Sequence, residues 1–237
     1  MSNKIKEYYD NLKLTQREIN NNYIVDGIEY PKYIKTDHQE LELFSDNHIN
    51  YMTKLFNLFE VFHNWLEDNN ILYTLIWGNL LGYHRQNNQI LWDDDFDTLL
   101  VDNKGIEFIN NIWNNNNEIA KPIWDKSWIY KTITINEKKY LLLKMKSKTN
   151  WFKLLYNENI NNKDLGGIDI TYKINERDCW GNNLSTMNDY ICDKKIVPII
   201  QYGPTLARVL TKEHSYKLLD LRYGNEWSIK QHPNLNY

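Results

Sequence analysis

Between Ile49 and Leu66 the apolar positions recur every three or four residues: Ile49, Met52, Leu55, Phe56, Phe59, Phe62 and Leu66. That spacing predicts a helix with one buried stripe. Ser45 or Asp46 can cap its start, and Asn69-Asn70 can end it. His63, beside the stripe, reads as a structural side chain. The pattern then changes. Ile71 to Trp77 is a continuous apolar run, predicted as a buried strand, and Gly78-Asn79 interrupts it. Leu80 to Arg85 is predicted as a short helix, Gln86 to Gln89 as a polar turn, and Ile90 to Trp92 as the entry to a second strand.

Downstream, Asp102 or Asn103 can cap a helix carrying Ile106, Ile109, Ile112 and Trp113. Trp128 to Ile135 and Lys138 to Met145 are predicted to form a hairpin about Asn136-Glu137. Ile168 to Tyr172, after Gly166-Gly167, reads as a short strand bearing Asp169, and Ser215 to Leu221 as a helix. Residues 1 to about 40 look polar and irregular, with one short amphipathic stretch from Ile5 to Leu14 and a turn or extended entry at Tyr30-Pro31. No internal repeat or linker tract is visible. The chain is therefore expected to be one compact α/β domain over residues 41–237, with an N-terminal arm over 1–40 and an added C-terminal lobe.

Composition narrows the class. With 237 residues, 42% hydrophobic and 14% aromatic, the chain can bury a large core. A net charge of -3 gives no bulk attraction to nucleic acid or anionic membrane. No apolar run approaches the roughly 20 residues of a membrane span, and the first residues lack the apolar core of a secretory signal. A cytoplasmic location is expected. Cys179 and Cys192 form no C-x-x-C pair or Cys/His cluster, which argues against zinc. Asparagine makes up about one residue in seven, well above ordinary usage, and reflects A+T-rich coding more than chemistry.

The chemistry concentrates at Asp93, Asp94, Asp95 and Asp97, four aspartates within five residues and flanked by apolar runs. Like charges at this density need a counter-charge, and a divalent metal is the usual one. Residues two apart on a strand share a face, so Asp95 and Asp97 should project together, with Asp93 of the same parity and Asp94 outside it. A D-D-D run is most often a solvated turn. The apolar flanks, Phe96 and the preceding strand–Gly–helix element favour a site instead. Gly78 would let backbone approach phosphates, the helix start would offer free N–H groups, and Arg85 a forked cation. Asp169 is the best candidate for a third carboxylate from a separate strand. Read singly, Arg85 is a surface ion-pair partner and Asp169 a strand-end cap.

The stretch from Gly78 to Asp97 resembles the signature of the LicD/fukutin family. Gly78, Leu80, Leu81, Gly82, Arg85, Trp92, Asp93, Asp95 and Asp97 stand at matching positions. Ile168-Asp169-Ile170 is similar to that family's Asp-Ile/Val-Phe strand. Arg222-Tyr223-Gly224-Asn225-Glu226-Trp227 is similar to its closing Tyr-Gly-x-x-Trp element, so the resemblance spans about residues 41 to 230. Asn79 replaces the usual Thr or Ser, Gln86 a frequent His, and Asn87-Asn88 a Lys/Gly-type turn.

The resemblance implies a nucleotidyltransferase-like (polymerase-beta-like) mixed sheet flanked by helices. It also implies transfer of a phospho-alcohol, such as phosphocholine or ribitol phosphate, from a CDP-linked donor to a glycan or glycoconjugate hydroxyl. Asp93, Asp95, Asp97 and Asp169 would hold Mg²⁺, or alternatively Mn²⁺, on the donor diphosphate. Gly78, Asn79 and Arg85 would steady its phosphates, and Asp169 would orient or deprotonate the acceptor. Three other readings stay open: a D-x-D glycosyltransferase, a nucleotidyltransferase proper, and a non-catalytic glycan-binding module. Trp124, Trp128, Trp151 and Trp180 could stack on sugars, although aromatics are more often core.

Overall fold

The computed structural model describes residues 3–19, 22–25, 28–35, 40–91, 93–124, 127–158, 166–175, 177–179, 181–182, 184, 195–224 and 227. Trp92, Trp180, Cys192, Asn225 and Glu226, singled out above, lie outside the described residues. Cys179 is a buried free cysteine.

The protein is a mixed α/β structure with five α-helices among the described residues: α1 (Asn3–Thr15), α2 (Asp46–Asp68), α3 (Trp77–Gln86), α4 (Asn103–Asn115) and α5 (Lys212–Tyr223). Seven strands form the main sheet: β6 (Tyr73–Leu75), β7 (Phe96–Leu100), β8 (Lys121–Ile123), β9 (Trp128–Ile135), β10 (Lys138–Met145), β11 (Trp151–Tyr156) and β12 (Ile168–Tyr172). Their order is β6-β7-β12-β11-β10-β9-β8, and β7 and β12 run parallel while every other neighbouring pair is antiparallel.

The helix of the 3-and-4 stripe forms where its spacing places it. The Ser45 side chain accepts from the His48 N–H at 3.2 Å and caps the start, while Asn69 caps the end. Phe56, Phe59 and Phe62 are fully buried, and each such side chain stabilises the fold by about 1.5–3 kcal/mol. Phe59 stacks on Phe96 at 4.0 Å between ring centroids, and Phe56 meets the same ring edge-on at 5.2 Å. These contacts fix which face of β7 looks into the core. His63 is buried and hydrogen-bonded to the Tyr73 hydroxyl at 2.8 Å, a structural role as expected.

The sheet has two chemically different faces. Ile168, Ile170, Phe152, Leu154, Tyr140, Leu142, Ile133 and Ile135 join the large core with α2. Alternate residues of the same strands, Leu155, Leu141, Leu143, Tyr130 and Trp128, build a second, smaller cluster with Ile123 on the opposite face. The β9–β10 hairpin turns through Asn136 and Glu137, both at positive φ, as a two-residue hairpin requires.

Two expectations need correction. The first 40 residues are not irregular. They contain α1 and the antiparallel meander β1 (Arg17–Ile19), β2 (Asn22–Val25) and β3 (Ile28–Pro31), then β4 (Tyr33–Lys35), which pairs with β5 (Glu40–Glu42). Ile5, Tyr9, Tyr23, Val25 and Tyr30 lie in the main core. The run from Ile71 to Trp77 is also not all strand: only Tyr73–Leu75 is, and Trp77 already opens α3 at φ 47°. Toward the C-terminus, the hairpin of β13 (Ile199–Tyr202) and β14 (Thr205–Arg208) precedes α5. Tyr202, Ala207, Leu218 and Leu219 pack into the same core as α2. No helix among the described residues is long and apolar enough to cross a membrane.

Candidate functional site

Asp97 on β7 is the Cα partner of Asp169 on β12, and Asp169 is the Cα partner of Lys153 on β11. The three residues therefore form one row across three adjacent strands, on the face opposite the main core. Phe96, fully buried against Phe59, holds its neighbours Asp95 and Asp97 to that face. Carboxylate oxygens of Asp95, Asp97 and Asp169 lie within 4.8 Å of one another. Asp93, Asp94 and Asp95 make a second group within the same limit.

Asp93 to Asp95 precede the strand instead of belonging to it, and a set of backbone hydrogen bonds shapes the turn they form. Tyr51 donates to the Asp94 carbonyl at 2.5 Å and accepts from the Gly166 N–H at 2.9 Å. Gln89 donates to the carbonyls of Asp93 at 3.3 Å and Asp95 at 2.5 Å. Asn79 donates to the Asp95 carbonyl at 3.3 Å and accepts from the Asp97 N–H at 2.5 Å. Gly166 packs so closely on the Asp94 backbone that a Cβ there would overlap its carbonyl and the Tyr51 hydroxyl.

The carboxylates face a cavity of about 550 Å³ lined by Trp77, Gly78, Asp93, Asp95, Asp97, Trp124, Trp128, Trp151, Lys153, Asp169, Asn182, Arg222 and Tyr223. Inside it Lys153 Nζ bridges Asp95 Oδ2 at 3.2 Å and Asp169 Oδ2 at 3.3 Å. The Trp151 indole N–H donates to Asp169 Oδ1 at 2.9 Å. Both oxygens of Asp169 are thus held by residues two apart on β11.

One lysine does not balance four aspartates. Withdrawal from water, then repulsion from Asp95 and its neighbours, holds the Asp93 and Asp97 carboxyls well above the usual carboxylate range. Burial pushes Asp169 up to about 7, against the opposing pull of Lys153. Burial works against the charged Lys153, yet Asp169 and Asp95 together keep its ammonium protonated far above the usual range. Asp93 Oδ2 is buried with no hydrogen-bond partner among the described residues. Excess negative charge, an unpaired carboxylate oxygen and an all-oxygen donor set suit a hard divalent cation. Asp95, Asp97 and Asp169 are placed to grip one, with Asp93 beside them.

The remaining sequence candidates divide. Gly78 lines the cavity in the first turn of α3, where backbone N–H groups lack intrahelical acceptors. A Cβ on Gly78 would stand 2.7 Å from Asp93 Oδ2. Asn79 brackets the acidic turn, with both ends of its amide engaged by the Asp95–Asp97 backbone. Arg85 does not line the cavity; its guanidinium donates to the Trp227 carbonyl. The cavity's guanidinium is Arg222, 5.5 Å over the Trp77 ring and 3.0 Å from Asn182 Oδ1. Asp94 stays outside the cavity lining, as parity predicts. Lys153 escaped the sequence reading, although a single lysine inside Trp-Phe-Lys-Leu-Leu-Tyr was a visible sign of a buried cation.

No family model matches this chain. No curated protein matches it either. Among solved structures it is similar to the crystal structure of an antigenic nucleotidyltransferase-like protein from Paracoccidioides brasiliensis, with 11% identity and a TM-score of 0.34. The alignment covers 70% of this chain and 64% of that one. A likeness that slight transfers neither fold family nor activity.

Proposed function

We propose that this protein is a divalent-cation-dependent transferase that moves a phospho-alcohol, of the phosphocholine or ribitol-phosphate type, from a CDP-linked donor to a glycan hydroxyl. This is the reaction implied by the resemblance of residues 78–97 to the LicD/fukutin signature, and with it a nucleotidyltransferase-like fold. The observation that carries the reading is the convergence of Asp95 and Asp97 with Asp169, about seventy residues downstream, to within 4.8 Å.

In this reading Asp95, Asp97 and Asp169, with Asp93 beside them, hold Mg²⁺. When bound, the ion offsets the charge of the donor diphosphate and of the departing CMP. The first-turn N–H groups at Gly78 and the Arg222 guanidinium take the phosphate oxygens. Asp169, fixed by Trp151 and Lys153, orients the acceptor hydroxyl and receives its proton as the hydroxyl oxygen attacks the distal phosphorus. The bond from that phosphorus to CMP then breaks. Fixed positioning and charge complementarity supply most of the acceleration. Incubating purified protein with CDP-choline or CDP-ribitol, Mg²⁺ and glycan acceptors should release CMP. Turnover undiminished in Asp95→Ala and Asp97→Ala would overturn the assignment.

A further inference from the structure

The cavity has a second half, of which the phosphoryl chemistry uses only the Trp151 N–H on Asp169. Trp128 is buried between Trp124 and Trp151, meeting their rings edge-on at 6.2 and 4.9 Å. The three belong with the small cluster on the site face of the sheet, away from the main core. They line the same 550 Å³ as the aspartates, a volume fit for a ligand with a ring as well as a phosphate-sized group.

Two features mark this aromatic wall as built for a ligand. Trp124 stands at φ 56°, and Trp77, which lines the same cavity, at φ 47°. A bulky residue at positive φ is strained, and such strain concentrates where a side chain must be presented in one direction. The Trp124 indole N–H is also buried without an acceptor among the described residues. An unmet indole donor beside a cavity favours a ligand rich in oxygen acceptors.

We infer that Trp124, Trp128 and Trp151 form a carbohydrate subsite that seats one sugar ring of the acceptor. The assignment to the acceptor rests on the transferase reading above. Trp151 hydrogen-bonds Asp169 directly, so a ring lying against this wall delivers its hydroxyl to the carboxylate that orients the attack. The apolar C–H face of a pyranose lies on the indoles, and its hydroxyls and ring oxygen supply acceptors.

The test uses the full chain with methyl β-glucopyranoside, methyl β-galactopyranoside and N-acetylglucosamine as probes, without nucleotide or metal. Saturation-transfer NMR and tryptophan fluorescence should report millimolar binding of at least one. Trp124→Ala should weaken that binding tenfold or more, Trp124→Tyr should restore part of it, and CMP–Mg²⁺ affinity should stay within twofold in both. Absence of binding by the wild-type protein, with and without CMP–Mg²⁺, would overturn the subsite. So would a Trp124→Ala protein that loses CMP affinity and keeps glycoside binding, since the wall would then hold the base. Failure of the transferase reading is separable: glycoside binding dependent on Trp124, with no CMP release from any CDP-alcohol, leaves the subsite standing on a non-catalytic protein.

Discussion

Lys153 stands directly opposite Asp169 on neighbouring antiparallel strands, and its ammonium also reaches Asp95, at 3.3 and 3.2 Å respectively. A lysine 16% exposed and an aspartate 4% exposed make a buried pair. In such a pair, removing one partner costs far more than the pair itself contributes.

Lys153→Met should therefore destabilise the metal-free protein by about 3–5 kcal/mol at pH 8, above the raised titration range of Asp169. The loss should be smaller at pH 5, where Asp169 keeps its proton. Thermal or urea unfolding at the two pH values measures it, and added Mg²⁺ should recover part of the deficit by supplying the missing positive charge. An equal loss at both pH values would show that Lys153 acts through packing alone.

Asp169 also sets a pH dependence for the unmodified protein. Its carboxyl is raised to about 7 by burial, above the usual unfolded value near 3.9. Between those values the folded state binds a proton that the unfolded state has released, so stability falls as pH rises. The stabilising contribution is complete below about pH 4 and lost through pH 7. Asp93 and Asp97, raised in the same direction, add to the fall. The metal-free protein should lose on the order of 2–4 kcal/mol between pH 5 and pH 8 from Asp169. Divalent-cation affinity should rise over the same interval, because binding needs the ionised carboxylates. Melting curves across pH with and without Mg²⁺ check both.

Much of this arrangement was legible in the sequence, and the rest was not for identifiable reasons. The α2 stripe, the Asp102 cap and the Asn136-Glu137 hairpin are local patterns, and each element formed where its own residues placed it. Parity about Phe96, which is anchored in the core, puts Asp95 and Asp97 on the cavity side, whereas Asp93 is placed by the turn before the strand. Lys153 and Arg222, and the hold of Trp151 on Asp169, were not legible because they come from strand pairing and from the return of α5 to the start of α3, contacts between residues far apart in sequence. The structural engagement of Asn79 was hidden for a related reason. A polar side chain after a glycine suggests an anion ligand, but here the unpaired backbone of the acidic turn claims it first.

Gly78→Ala tests the close approach of α3 to the acidic turn. The added methyl would stand 2.7 Å from Asp93 Oδ2, and the carboxylate end can swing away where backbone cannot. The variant should fold, with a melting temperature close to that of the parent, and should bind divalent cation or CMP–Mg²⁺ about tenfold more weakly, near 1.4 kcal/mol. Calorimetric titration reads the difference. Unchanged affinity would remove both Gly78 and Asp93 from the site.

The two arginines give the sharpest contrast. Arg85 stands at the signature position, yet its guanidinium donates to the Trp227 carbonyl and ties the end of the described chain to α3. Arg222 carries no signature weight, yet it lines the cavity above Trp77. Arg85→Ala should lower stability by about 1.5–3 kcal/mol, the range for a hydrogen bond to a charged group, and leave the affinity for CMP–Mg²⁺ unchanged. Arg222→Ala should do the reverse. Its contacts to Asn182 and the Trp77 ring are exposed enough to contribute little to folding, whereas loss of a forked contact to phosphate should weaken nucleotide binding roughly tenfold. Substituting lysine at 222 should recover only part of the affinity, because a point charge lacks the planar fork. Unfolding curves and nucleotide titrations on the same three proteins decide it. A nucleotide defect in Arg85→Ala with none in Arg222→Ala would return the phosphate role to the signature arginine.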